Sequence, residues 1–225
     1  MFKAVRVLAL VGVAAFAVSA AAQSVGPALL TQAVAATQAA KTDYAFDFEL
    51  DTSKANWRAR FDPAATPNLR LLTPSRDELD NDQRRAFDRM ADDFEGVSWC
   101  ASESMGRVTN VRLLREDETS ATYAFQPTRE SIRGAQARQY ADRLRGEVTV
   151  LKATPDIARV RLFIPEAFSP LPLVRVDAFN TVITCQAAPN GRRYAAETNT
   201  HLRGSAFGQA FDERSVQRAR NLRAS

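Results

Sequence analysis

Few residues of this 225-residue chain are of types that carry out chemistry, and their spacing decides what each could do. The only imidazole, His201, shares a predicted strand face with Glu197, a carboxylate that could orient it as a general base. A lone histidine on a solvent-facing strand is nonetheless far more often a bystander than a base. Asp47 and Glu49 fall on one face of another predicted strand, and paired carboxylates can cleave a glycosidic bond when one of them stays protonated. Their predicted cross-strand partners, Arg58 and Arg60, would hold both ionised, which suits a salt-bridged surface better. Ser102 and Ser104 beside Cys100 have no base in reach of the sequence pattern. No G-x-S-x-G elbow, S-x-x-K, P-loop or G-x-G-x-x-G occurs, so the serine-nucleophile and phosphate-cradling signatures are missing. One histidine and two cysteines exclude a histidine-based or four-thiolate zinc site, and without C-x-x-C a thiol exchange catalyst is unsupported. The sequence therefore assigns no catalytic, cofactor-binding or metal-ligating residue, and the chain is read as not an enzyme.

The composition, 45% hydrophobic and 25% charged, is that of an ordinary globular protein. Its N-terminus carries a further message. Lys3 and Arg6 precede an apolar run over 7–17, and small residues follow through Ala20, Ala21 and Ala22. This is the order of a secretory signal peptide, 1–22, cleaved near Ala22. The apolar run is too short and too rich in alanine to span a bilayer, which needs about 20 strongly apolar residues, so no transmembrane span is expected in the mature chain. The destination is the periplasm or the exterior. Losing Lys3 and Arg6 leaves 28 cations against 26 anions, cutting the formal charge from +4 to +2 over the remaining 203 residues. A near-neutral exported chain without a basic and aromatic motif is not expected to bind nucleic acid. In an oxidising compartment the two cysteines are most simply a disulfide, Cys100 to Cys185, worth about 2–4 kcal/mol through its constraint on the unfolded chain.

These residues must be positioned by elements that the hydrophobic pattern also predicts. Pro27 opens an alanine-rich helix over 27–40. Tyr44, Phe46, Phe48 and Leu50 alternate with polar residues, as do Trp57, Ala59 and Phe61. A turn at Ser53-Lys54 sets opposite one another positions whose numbers sum to 107. That register brings apolar residues together on one face and pairs Glu49 with Arg58 and Asp47 with Arg60 on the other. After a strand over 68–72, a Ser75/Glu78 capping box starts an amphipathic helix over 76–95, with Gly96 as its stop. Strands follow over 108–114 and 120–126, a short helix near 137–144, a hairpin of 147–152 with 157–164, and a proline-rich connector over 165–172. Asn190-Gly191 turns the last hairpin, in which positions summing to 381 set Cys185 opposite Ala196, Ile183 opposite Thr198 and Phe179 opposite Leu202. The chain is thus expected to be an α+β domain over 23–211. Its mostly antiparallel β-sheet of about eight or nine strands, flat or curved, carries an N-terminal helix and one long amphipathic helix. Residues 212–225 read as a polar basic C-terminal tail, frayed beyond Phe207 and Phe211.

Few helical residues are available to cover a sheet of that size; if they cover it only in part, an aromatic-lined concavity remains, with Phe46, Phe48, Trp57, Phe61, Tyr123 and Phe125 as its candidate apolar-ligand face. The order of signal segment, helix, YAFDFEL/WRARFDP hairpin, helix and a meander ending in LRGSAFGQAF resembles secreted proteins of Gram-negative bacteria. In layout, over most of 27–211, it is similar to the periplasmic lipoprotein carriers of the LolA/LolB type. The resemblance implies a curved antiparallel sheet wrapped around helices and holding acyl chains. The distant cysteines and the charged 76–95 helix depart from that layout, and no ligand residue is carried over. The expected function is non-enzymatic binding of a lipid or other apolar ligand, or of a partner, on the concave face, with no cofactor. The alternatives are a structural or assembly factor that contacts another envelope protein, and a carboxylate-dependent hydrolase.

Overall fold

Period-two alternation dominates from Tyr44 onward. In the computed structural model, which describes residues 28–132 and 135–224, it yields eleven antiparallel strands in one sheet. The expected signal peptide lies outside the described residues. The strands are β1 (Tyr44–Thr52), β2 (Asn56–Phe61), β3 (Leu69–Thr73), β4 (Thr109–Glu116), β5 (Ser120–Gln126), β6 (Arg145–Leu151), β7 (Asp156–Phe163), β8 (Phe168–Leu171), β9 (Val174–Ala187), β10 (Arg193–Ala206) and β11 (Gln209–Ala224). Their spatial order is β3-β2-β1-β11-β10-β9-β7-β6-β5-β4, with β8 beside β9.

The count exceeds the expected eight or nine because two segments read as irregular are strands. β8 lies in the proline-rich connector, and β11 is the supposed tail. Far from fraying, β11 sits near the middle of the sheet, paired with β1 on one side and β10 on the other. Its arginines meet carboxylates on both neighbours: Arg218 opposes Glu197 and Glu49, and Arg220 opposes Asp47.

The first hairpin has the expected register throughout, from Phe46 opposite Phe61 to Leu50 opposite Trp57. In the hairpin of β9 and β10, Ile183 faces Thr198 and Phe179 faces Leu202 as expected, but Cys185 faces Ala195 instead of Ala196. A bulge between Ala195 and Glu197 absorbs the extra residue there.

The helix expected over 76–95 is broken. A 3₁₀ turn at Arg76–Glu78, with the Ser75/Glu78 box in place, ends at extended Leu79, and the α-helix proper, α2, runs Asn81–Asp92. Asp80 accepts from Gln83 N–H at 2.8 Å and starts a second capping box five residues after the first, so the later cap opens the helix. Before it in the chain, α1 (Ala28–Ala39) matches its expected span closely, while the segment near 137–144 holds only the one-turn α3 (Ala135–Arg138) and a 3₁₀ turn at Ala141–Arg143.

All helices lie over one face of the sheet, and they divide its apolar surface in two. α2 and the chain after it cover β1 to β3, where Phe87 meets Trp57 edge-on at 5.4 Å and Phe94 meets Phe48 at 5.1 Å between ring centroids. α1 covers β6 and β7, seating Leu30 and Ala33 among Phe125, Val148, Val150 and Ile157. The opposite face is a ladder of charge. Asp47 accepts from Arg60 at 2.7 Å, and Asp51 accepts from Arg58 at 2.9 Å and from Arg218 at 2.8 Å.

Candidate functional site

Between the two covered regions, a short strap of chain over 98–100 runs alongside β10. The chain leaving α2 crosses here. Trp99 forms an isolated bridge with Tyr194, Ala195 N–H donates to the Ser98 carbonyl at 2.9 Å, and Cys100 N–H donates to the Arg193 carbonyl at 3.1 Å. Cys100 and Cys185 are joined in the expected disulfide, with Cα atoms 6.4 Å apart. Cys185 lies on the helix-bearing face at the β10 bulge, so the bond fastens the strap to the sheet.

Two cavities adjoin at this strap, sharing Ser98, Ala195 and Thr198 in their walls. The larger, about 820 Å³, is lined by Phe46, Phe48 and Phe94 at depth, with Gln217, Arg138 and Asp93 among its polar walls. The smaller, about 360 Å³, is mainly apolar and is lined by Met105, Phe125, Leu162, Phe179 and Ile183. Both volumes fall within the roughly 300–1,000 Å³ of ligand pockets.

The six aromatic residues expected to form one ligand face do not line a single cavity. Phe46 and Phe48 border the larger cavity and Phe125 the smaller. Trp57, Phe61 and Tyr123 line neither. Trp57 and Phe61 belong to the core under α2 and Tyr123 to the core under α1. Alternation reports which face of a strand is apolar, but not which stretch of that face a helix will cover. Phe179 and Ile183 were open to identification, since the Asn-Gly hairpin register already sets both on the face of Cys185. Phe94 falls on the apolar face of the expected 76–95 helix, whereas Met105, in the chain after the strap, had no comparable signal.

The carboxylates and the histidine of chemical interest lie outside these cavities, whereas Ser102 and Ser104 line the smaller one. On the charged face, burial raises the Asp47 carboxyl, but hydrogen bonds from Asn221 and Arg60 outweigh this and hold it below its ordinary value. An acid kept protonated requires the opposite shift. His201 Nε2 lies 2.8 Å from Asp212 on β11, whereas Glu197 accepts from Asn199 and Arg218. The hydroxyls of Ser102 and Ser104 bond each other at 2.7 Å. Asp156 is a buried carboxylate that the sequence did not single out. Burial pushes its pKa up against the pull of the Ile157 and Arg193 amides that donate to it at 2.7 and 2.9 Å and of nearby Arg192. It ties the turn between β6 and β7 to the turn between β9 and β10. Among the described residues, no group of three or more His, Cys, Asp or Glu side chains is placed to hold a metal ion. No helix among them is long and apolar enough to cross a membrane. No protein-family model matches the chain, and comparison with curated proteins and with solved structures returns no match.

Proposed function

We propose that this is an exported, periplasmic, non-enzymatic protein that holds an apolar, lipid-like ligand on the helix-bearing face of its sheet. The apolar cavity at the strap carries this reading. It has ligand-sized volume, walls of Met105, Phe125, Leu162, Phe179 and Ile183, and three wall residues, Ser98, Ala195 and Thr198, in common with the larger cleft. A cleft with an apolar end and a mixed polar end suits an amphiphile. Export is supported by the signal-type pattern of residues 1–22 and by a disulfide compatible with an oxidising compartment.

Native mass spectrometry of protein purified from the periplasm, before and after delipidation, tests the proposal. A mass excess that delipidation removes is expected, and filling the cavity by Ile183→Trp should abolish it while circular dichroism stays unchanged. Identical masses before and after delipidation would refute the reading.

A further inference from the structure

The middle strands outrun their neighbours at one end. β11 last pairs with β1 at Ser215, opposite Thr52, and residues 209–214 continue past that point, six residues or about 20 Å of strand. On the other side, β9 pairs with β7 only from Asn180 onward, and over 174–176 its neighbour is β8. Strands β8 to β11 thus form an arm that ends in two tight turns, Pro172-Leu173 and Phe207-Gly208. The turns are locked together, with Phe207 N–H donating to the Leu173 carbonyl at 2.8 Å.

What these turns display is unusual for a protein surface. Leu171 is 62% exposed, Leu173 72% and Phe207 75%, the three highest exposures among the large apolar side chains of the described residues. Leu173 (φ 64°) and Phe207 (φ 51°) also occupy the left-handed region, which bulky residues rarely adopt and which glycine or asparagine would fill more easily. Neither 168–174 nor 204–211 contains a charged side chain. The apolar character continues inward along the helix-bearing face of the arm. Phe168, Val176, Gly204 and Phe211 are successive cross-strand neighbours, and the next rung pairs Leu202 with Phe179, which lines the apolar cavity, and on its other side with Glu213 at the border of the apolar stretch. The other face of the arm is polar, with the pairs Arg175–Asp177 at 2.7 Å and His201–Asp212 at 2.8 Å.

We infer that this tip docks into a lipid bilayer, with Leu171, Leu173 and Phe207 entering the boundary between headgroups and acyl chains. A convex, uncharged apolar knob fits a deformable apolar phase, whereas a protein partner would need a matching pocket and rim. Side chains held outward at the expense of backbone comfort mark a surface kept for contact. The inference stands on the tip alone and does not depend on the cavity holding a ligand, although the apolar face of the arm would lead such a ligand from cavity to membrane.

Flotation of delipidated protein with vesicles of phosphatidylethanolamine containing a minority of phosphatidylglycerol is the test. Wild-type protein is expected to float with the vesicles, and a Leu171→Ser, Leu173→Asn, Phe207→Asn variant to partition at least about tenfold less. Asparagine tolerates the left-handed turn positions, so the variant should melt no lower than wild type. In Phe207→Trp, the new indole should shift to the blue and be quenched by brominated acyl chains, against a background of buried Trp57 and Trp99. The inference is overturned if wild-type protein stays with the buffer, if the triple variant floats equally well, or if the tip instead drives self-association that the triple variant abolishes. Since the protein is delipidated, a result here is independent of whether native mass spectrometry finds a ligand.

Discussion

Replacing Arg218 with methionine removes the cation that ties β11 to both of its neighbours while keeping an unbranched stem in place. Its Nη1 donates to Asp51 on β1 at 2.8 Å, its Nε donates to Glu197 on β10 at 2.9 Å, and Glu49 lies 3.7 Å away. Hydrogen bonds to charged groups contribute about 1.5–3 kcal/mol each. Arg218 is 24% exposed and its partners 23–38%, so solvent screening brings the two bonds to about 2 kcal/mol in all. In a domain of this size that is roughly 4–8 °C in melting temperature near neutral pH. The pH dependence sharpens the test. The hydrogen bond from Arg58, against burial and with help from Arg218, holds Asp51 below its ordinary value, and bonds from Asn199 and Arg218 do the same for Glu197. A carboxylate with a depressed folded pKa contributes stability above its unfolded pKa of about 4, and loses it as pH falls through the folded value. The gap between wild type and Arg218→Met should therefore be full near neutrality and close steadily below about pH 4. Thermal unfolding followed by circular dichroism across that range measures it. A variant that melts with wild type at neutral pH, or a gap that does not change with pH, would refute the role given to Arg218 and restore a solvated basic tail.

Two further predictions concern the frame around the cavities. Ending the chain after Phe211 should abolish cooperative unfolding, because β1 and β10 would each lose the strand between them; soluble protein with an unchanged melting profile would show that β11 is dispensable. Gly146→Val should cost about 1–3 kcal/mol, the usual penalty for overpacking, because a Cβ there would lie 2.1 Å from the Phe125 ring. Denaturant titration checks this, and a change under about 0.5 kcal/mol would mean that Phe125 has room to move.

Where two independent patterns agreed, the sequence could be read closely. The register of β1 and β2 satisfies an apolar face and a charged face at once, and any one-residue slip would spoil both. The disulfide was legible from an even cysteine count and an expected compartment. The start of α2 was less so, because Ser75/Glu78 and Asp80/Gln83 both form capping boxes and local chemistry does not rank them. The candidate site was legible only in part. Its six aromatic residues share strand parity, but parity does not say that α2 would cover Trp57 and Phe61 or that the strap would leave Phe179 and Ile183 open.

The hardest strand to read was β11, and the reason is specific. Its apolar residues Val216, Ala219 and Leu222 are three apart, which fits no strand period. The irregularity lies between the pairs Ala45–Arg223 and Asp47–Arg220, where Asn221 takes a left-handed φ of 55° and shifts the alternation by one. Val216 faces the charged side and Ala219 the apolar side, while Leu222 rejoins the core only past the bulge. A signal was present in the charges. Folding the chain at Phe207-Gly208 sets Arg203 opposite Asp212 and Glu197 opposite Arg218, a second hairpin with opposite charges in register. An arginine-rich C-terminus in a chain whose strands carry unmatched carboxylates is therefore better tested for cross-strand complementarity before it is read as an arm for an anionic partner. Here β1 alone offers Asp47, Glu49 and Asp51 to β11, and Arg218, Arg220 and Arg223 meet them.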